Sequence, residues 1–165
     1  ELTDRAEGLQ VLAAAKDAQA GKSMDEIVAH VEKIRANQKL EMMVINLQNL
    51  IKGGRLGALS GRIATMLNIR IALQMPQGKL QVAKKGRGKK FTKAFNKRVL
   101  KEIADNQDRI KHVGISYVDT PEPMQELAQE IKEINPEIDV LVAETSPIIA
   151  THAGNGAYAI LYYME

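Results

Sequence analysis

At 165 residues, 45% of them hydrophobic, the chain is sized for one packed domain and carries enough apolar surface to build a core. Aromatics make up only 4% and Trp is absent, so aliphatic side chains and seven Met must fill that core. The lack of any Cys excludes disulfides, thiolate metal sites and thiol nucleophiles, and suits a reducing cytosol. The net charge of +3 is uneven: nine Lys or Arg and no acid fall between Lys84 and Lys101, which leaves the remainder at −6. An acidic or phosphate-bearing partner, or nucleic acid, would meet that stretch rather than the whole surface.

Taken in order, Gly8 to Ala20 reads as an Ala-rich helix with Leu9, Leu12 and Ala15 on one face and Gly21 as its C-terminal stop. Ser23-Met24-Asp25-Glu26 is a capping box, behind which Met24, Ile27, Val28, Val31 and Ile34 recur at helical spacing. These two helices predict an αα-hairpin that needs something else to pack against. Leu40 to Ile45 predicts a strand buried on both faces. Asn46 caps a short helix with Leu47, Leu50 and Ile51 that stops at Gly53-Gly54, and a second helix follows Gly57 with Leu59, Ile63 and Met66 inward. Ile69 to Met75 and Lys79 to Ala83 predict a hairpin around Pro76-Gln77-Gly78. A basic turn then leads into a helix with Phe91, Phe95, Val99 and Ile103 at four-residue spacing.

In the last third the elements alternate. Ile110 to Val118 predicts a strand. Asp119-Thr120-Pro121 opens a helix with the stripe Met124, Leu127, Ile131 and Ile134, and Asn135-Pro136 ends it. Ile138 to Ala143 predicts a strand, Pro147 to Thr151 another, and Ala157 to Met164 a last one. Strand–helix–strand order implies a crossover and a mixed sheet in an α/β (α+β) fold with flanking helices. No apolar run approaches the ~20 residues that cross a bilayer. The opening Glu1, Asp4, Arg5 and Glu7 do not read as a signal peptide, and a start without Met reads as a fragment or a processed product.

Three segments, Asn46 to Gly57, Lys85 to Lys90 and Pro147 to Ala157, together resemble the DegV family of bacterial fatty-acid-binding proteins. Asn46 to Gly57 is similar to that family's short helix ending in a Gly-Gly-Arg loop. Lys85-Gly86-Arg87-Gly88-Lys89-Lys90 resembles its Arg-containing basic turn. Pro147 to Ala157 resembles its terminal Gly-Thr-His-Thr-Gly-Pro-Gly pattern, with Ala150, Ala153 and Asn155 standing where Gly, Thr and Pro are usual. The resemblance implies that residues 1–38 are the helical tail of an N-terminal α/β domain missing from this chain, and that residues 39–165 are the C-terminal domain. It implies a long-chain fatty acid in a tunnel, with the carboxylate held by a Thr and a Ser of the missing half and by His152. Thr151, Gly154 and Arg55 join His152 in the ligand-binding set. Arg87, Lys89 and Lys90 would meet a fatty-acid kinase that converts the bound acid to an acyl phosphate.

Each of these residues also has a plainer reading. Taken alone, His152 is an exposed or structural histidine; in the resembling role it donates to a carboxylate, an interaction of roughly 1.5–3 kcal/mol. The alkyl chain, at about 0.8 kcal/mol per buried CH2, would then supply most of the affinity. Gly53-Gly54-Arg55 reads equally as a helix C-cap. The basic segment 84–101 is otherwise a solvated face or, in the rival reading, a nucleic-acid- or phosphate-binding surface. Against nucleic acid, Phe91 and Phe95 have core spacing. Of Met42, Met43, Leu59, Ile63, Met66 and Leu73, some are expected to line the tunnel and the rest to be core. His30 and His112 default to structural roles. Ser60, Ser116 and Ser146 have no nucleophile-elbow setting, and no phosphate loop follows Gly54 and Gly57. The expectation is a cytoplasmic binding protein without enzymatic activity, cofactor, metal or membrane span.

Overall fold

A computed structural model describes residues 3–55 and 68–165, the side chain of Gln77 excepted. Six strands form one mixed sheet in the order β3-β2-β1-β6-β4-β5. They are β1 (Gln38–Val44), β2 (Ile69–Gln74), β3 (Gln81–Arg87), β4 (His112–Tyr117), β5 (Asp139–Glu144) and β6 (Tyr158–Tyr163). Only β4 and β5 run parallel, joined by helix α5 (Glu122–Ile134); every other neighbouring pair is antiparallel. The remaining helices are α1 (Arg5–Gln19), α2 (Met24–Asn37), α3 (Gln48–Lys52), α4 (Gly88–Asp105) and α6 (Pro147–Ala153). No described helix is long and apolar enough to cross a membrane.

One face of the sheet is closed. Phe95, Val99 and Ile103 of α4 and Met124, Leu127 and Ile131 of α5 pack on Met43, Val113, Ile115, Ile160 and Tyr162. The predicted stripes of both helices thus fall on the core, and Phe95 meets Tyr158 edge-on with ring centres 6.0 Å apart. Glu41, inside the apolar run of β1, also points to this side and is almost fully buried. Its carboxylate accepts from Arg98 of α4 at 2.6 Å and from Gln74 at 2.6 Å. That pairing offsets the desolvation of a charge that a strand buried on both faces would not otherwise tolerate. The Arg98 guanidinium is held still further above its ordinary value, first by that bond to Glu41, and its cation lies 5.3 Å over the Phe95 ring.

The opposite face is covered in two pieces. At one end α1 and α2 rest on it through Leu9, Ala13, Ile34 and Tyr163. Helix α1 seats its first turn on Gly114, where a Cβ would lie 2.6 Å from that of Arg5. The capping box forms as expected, Ser23 and Glu26 satisfying one another's donors. The hairpin therefore finds its packing surface on the sheet of this same chain. Its inward face is rotated from the expected one: Ala6, Leu9, Ala13 and Asp17 are buried, whereas Leu12 and Ala15 are exposed. On α2 only Ile34 is fully buried, and Met24 and Val28 face solvent at 73% and 53% exposure. Buried Asp17 ties the two helices together by accepting from Lys22 at 2.6 Å and pairing with His30. His112 similarly pairs with Asp139 at 3.2 Å.

Three predicted elements differ. The supposed strand Pro147–Thr151 is helix α6: Ser146 is extended ahead of it, Pro147 supplies a helical φ at its start, and Gly154 ends it at φ +78°. The supposed basic turn is not a turn. Strand β3 begins at Gln81 rather than Lys79 and runs to Arg87, and α4 starts at the next residue; Gly86 is there because the Phe91 ring lies 2.2 Å from where its Cβ would be. The short helix α3 has Leu47 as its cap residue, Asn46 bonding through its side chain to the Gln48 amide at 3.0 Å. The predicted helix with Leu59, Ile63 and Met66 lies outside the described residues. The β2–β3 hairpin, turned by a 3-10 helix at Pro76–Gly78, is as expected.

Candidate functional site

Strand register gathers all three motif segments at one end of the sheet. Val44 of β1 pairs with Ile71, Ile69 with Arg87, Met43 with Tyr158, and Tyr158 with Tyr117, which pairs with Glu144. So α3 with its Gly-Gly-Arg end, the Arg87–Gly88 junction, and α6 with the glycine turn before β6 all leave from the same edge. The starts of β6 and the end of β3 are three strand spacings apart, about 14 Å.

Helices α3 and α6 meet there over the open face. Asn49 donates from Nδ2 to the Thr151 carbonyl at 2.9 Å, and Gly154 leaves room for the Asn49 side chain, which its Cβ would approach to 3.1 Å. A Cβ on Gly53 would stand 2.5 Å from Nδ1 of His152, so glycine at 53 is what lets the imidazole lie over the end of α3. Gly54, by contrast, has open space and is needed for its φ of +69°. Arg55 folds back and donates from Nη1 to the Gly53 carbonyl at 2.8 Å. In the turn before β6, Asn155 donates to the Asp119 carboxylate at 2.6 Å, and so anchors the loop where the resembling pattern has proline.

Between α1 on one side and α3 and α6 on the other, the sheet face is left as an apolar pocket of about 220 Å³. Leu40, Met42, Leu73, Ala159 and Leu161 form its floor, Ile148 and Ile149 of α6 and Leu50 of α3 its sides, and His152 and Arg55 lie on its wall. His152 is half-buried, and its Nδ1 is buried without a hydrogen-bond partner among the described residues. An unpaired buried ring nitrogen is costly unless a ligand or solvent completes it.

The expected site residues therefore separate. His152 and Arg55 line the pocket together. Thr151 is exposed and does not line it, its hydroxyl donating to the Pro147 carbonyl at 2.8 Å. Gly154 shapes the turn through Asn49. Of the expected tunnel stripe, Met42 and Leu73 line the pocket, Met43 is core on the other face, and Leu59, Ile63 and Met66 lie outside the described residues. Arg87, Lys89 and Lys90 are exposed and make no ion pair with a described residue, whereas Arg98 and Lys101 of the same basic stretch pair with Glu41 and Asp105. Phe91 lies on Gly86 and Phe95 is buried, so neither presents a stacking face. Among the described residues no group of His, Asp and Glu is placed to hold a metal. The sequence reading missed Asn49, Ile148 and Ile149; Pro147 and Gly154 flanking a seven-residue stretch were the available signal for the helix that carries the isoleucines.

Known proteins resemble this chain in sequence and in fold. The chain is 40% identical over 160 residues to a DegV domain-containing protein of Streptococcus pneumoniae, covering 96% of this chain and 56% of that protein. It thus spans little more than half the length of that relative. Its fold superposes with TM-score 0.79 and 25% identity on a DegV family protein from Thermus thermophilus whose structure describes fatty acid binding, covering 97% of this chain and 57% of the other. It matches with TM-score 0.74 and 22% identity the Streptococcus pneumoniae Fatty Acid Kinase (Fak) B3 protein loaded with linoleic acid, covering 95% and 55%. A family model described as "Uncharacterised protein, DegV family" matches residues 1–165, end to end over the segments that build the pocket and its rim. The chain belongs to the DegV family.

Proposed function

We propose that this chain forms part of a fatty-acid-binding site and that it binds without performing chemistry. The observation that carries the reading is the 220 Å³ apolar pocket with His152 on its wall. The pocket suits an alkyl chain, each buried methylene contributing about 0.8 kcal/mol. Among the described residues, His152 and Arg55 are the imidazole and cationic side chains that line it, and Thr151 and Gly154 hold the turn that presents the imidazole. The volume is below the ~300–1,000 Å³ of a complete small-molecule site. The described residues therefore wall only part of the ligand, in keeping with a chain that spans 56% of its relative. The exposed outer face of the α1–α2 hairpin, with Val11, Leu12, Met24 and Val28, is the surface on which a further domain would pack, so residues 1–38 belong to both units.

The ligand is a long-chain fatty acid, a reading supported by the fatty acid binding described for the Thermus neighbour and the linoleic acid loaded in the pneumococcal one. The exposed Arg87, Lys89 and Lys90, on the same sheet edge as His152, face a fatty-acid kinase that receives the carboxylate. Two measurements test this. Denaturing the whole protein, extracting with organic solvent and weighing the extract should yield one long-chain acid per protein; an empty extract overturns the reading. Arg87→Ala should slow acyl phosphate formation with the kinase while lipid content is unchanged, and loss of lipid instead would reverse the division of roles.

A further inference from the structure

The floor of the pocket holds one polar side chain that the reading so far does not use. Strand register sets five residues in a row across the open face: Leu73 beside Met42, Met42 beside Ala159, Ala159 beside Ser116, and Ser116 beside Ala143. Paired residues in neighbouring strands point to the same side, so these five form one row, broad side chains at the β2 end and small ones at the β5 end, and all but Ala143 line the pocket. Ser116 lines the pocket at the small-residue end of that row and is only 2% exposed. Its Oγ is buried and has no hydrogen-bond partner among the described residues. The hydroxyl of Thr145, which also lines the pocket, is already engaged, donating to Asp4 at 2.8 Å.

A buried hydroxyl without a partner costs free energy comparable to a lost hydrogen bond, and an alanine, as at its neighbours 143 and 159, would fill this place without that cost. The hydroxyl also lies deep while His152 is half-buried at the rim. A ligand whose carboxylate stays with His152 therefore passes Ser116 with its hydrocarbon portion, not its head.

We infer that Ser116 is a specificity residue for fatty acids carrying an oxygen within the chain, a hydroxyl or a keto group, which its Oγ meets by a hydrogen bond on the pocket floor. This rests on the fatty-acid reading and narrows it to a ligand class. A hydroxyl ligand exchanges donor and acceptor with Ser116; a keto ligand accepts from it. A saturated chain of the same length lies along the row but leaves the Oγ unpaired, and the discrimination is that of one buried hydrogen bond.

The test compares stearic acid with hydroxystearic acids substituted at different carbons, binding each to the delipidated whole protein and to its Ser116→Ala variant. The native protein should bind at least one hydroxystearic acid roughly three- to tenfold more tightly than stearic acid. In Ser116→Ala that preference should vanish while stearic acid binds as before or better. Equal binding of all acids by the native protein, or a preference that survives in Ser116→Ala, overturns the assignment while leaving the fatty-acid site standing. If no acid binds either protein, the fatty-acid reading itself falls and this inference with it. Thermal melting of the ligand-free proteins adds an independent readout: Ser116→Ala should melt no lower than the native protein, whereas a purely structural hydrogen bond at Ser116 would make it melt lower.

Discussion

At single residues, the adjacent glycines 53 and 54 show how one dipeptide meets two separate demands. Gly54 is a matter of backbone: its φ of +69° costs other residues about 1–2 kcal/mol but touches nothing. Gly53 is a matter of contact, with the His152 ring where its Cβ would be. Gly53→Ala should therefore displace the imidazole, shift the His152 ring resonances and weaken fatty-acid retention, while Gly54→Ala should lower the melting temperature and leave those resonances in place. Equal shifts in the two variants would refute the contact. The sequence showed the glycines, and the C-cap explanation sufficed for both. What it could not show is the partner of Gly53, about a hundred residues away and placed only by the packing of α3 on α6. Ser116 was invisible for the same reason: a row of small residues exists across strands, so no single strand's pattern reveals it.

At the level of elements, legibility followed the strength of local periodicity. Helices α4 and α5 carry apolar stripes at regular spacing and appear where expected with the expected residues inward. Helix α6 was misread as a strand because Ile148-Ile149 is β-branched and seven residues are too few for a helical period to show. Along α1 and α2 apolar residues lie on more than one face, so the helices are legible in the sequence but their rotation is not. Polar side chains decide that rotation, Asp17 above all. Lys22 first, then His30, hold its carboxyl below the ordinary carboxylate value. A depressed folded-state value means that Asp17 stabilises the hairpin fully above the ordinary carboxylate range and that this is lost as pH falls through its folded value. Asp17→Asn should accordingly loosen the hairpin near neutrality, seen as faster amide exchange in α2, and flatten the acid limb of the stability curve. An acid limb identical to that of the native protein would remove Asp17 from this role. Within the sheet, Glu41 was passed over because it sits inside an apolar run. Arg98→Met leaves that carboxylate buried with Gln74 alone, and should cost about 1–3 kcal/mol in denaturant unfolding. Glu41→Gln combined with Arg98→Met should recover part of the loss, since no buried charge then remains.

Over the whole molecule, the fold separates hiding from display. The open sheet face takes the pocket, and the basic residues of α4 lie on the other side, Lys93 and Lys97 exposed above the closed core. Only the start of that stretch, Arg87 with Lys89 and Lys90, reaches the edge where His152 stands. The net charge of the chain conceals this, because the nine cations from Lys84 to Lys101 oppose a remainder of −6. The exposed Arg87, Lys89 and Lys90 give a positive patch at that edge, which speeds encounter with an acidic partner more than it strengthens the final complex. Replacing Arg87, Lys89 and Lys90 together with Gln should therefore slow association with the proposed kinase partner by roughly tenfold at low salt. The difference should shrink toward nothing as added salt shortens the screening length to about 3 Å near 1 M. Dissociation should change far less, and the lipid content of the protein not at all. Stopped-flow mixing with the kinase at several ionic strengths measures the first two, and solvent extraction the third. A rate loss that is the same at every salt concentration would mean that these residues act by close contact and that the charge asymmetry of the chain steers nothing.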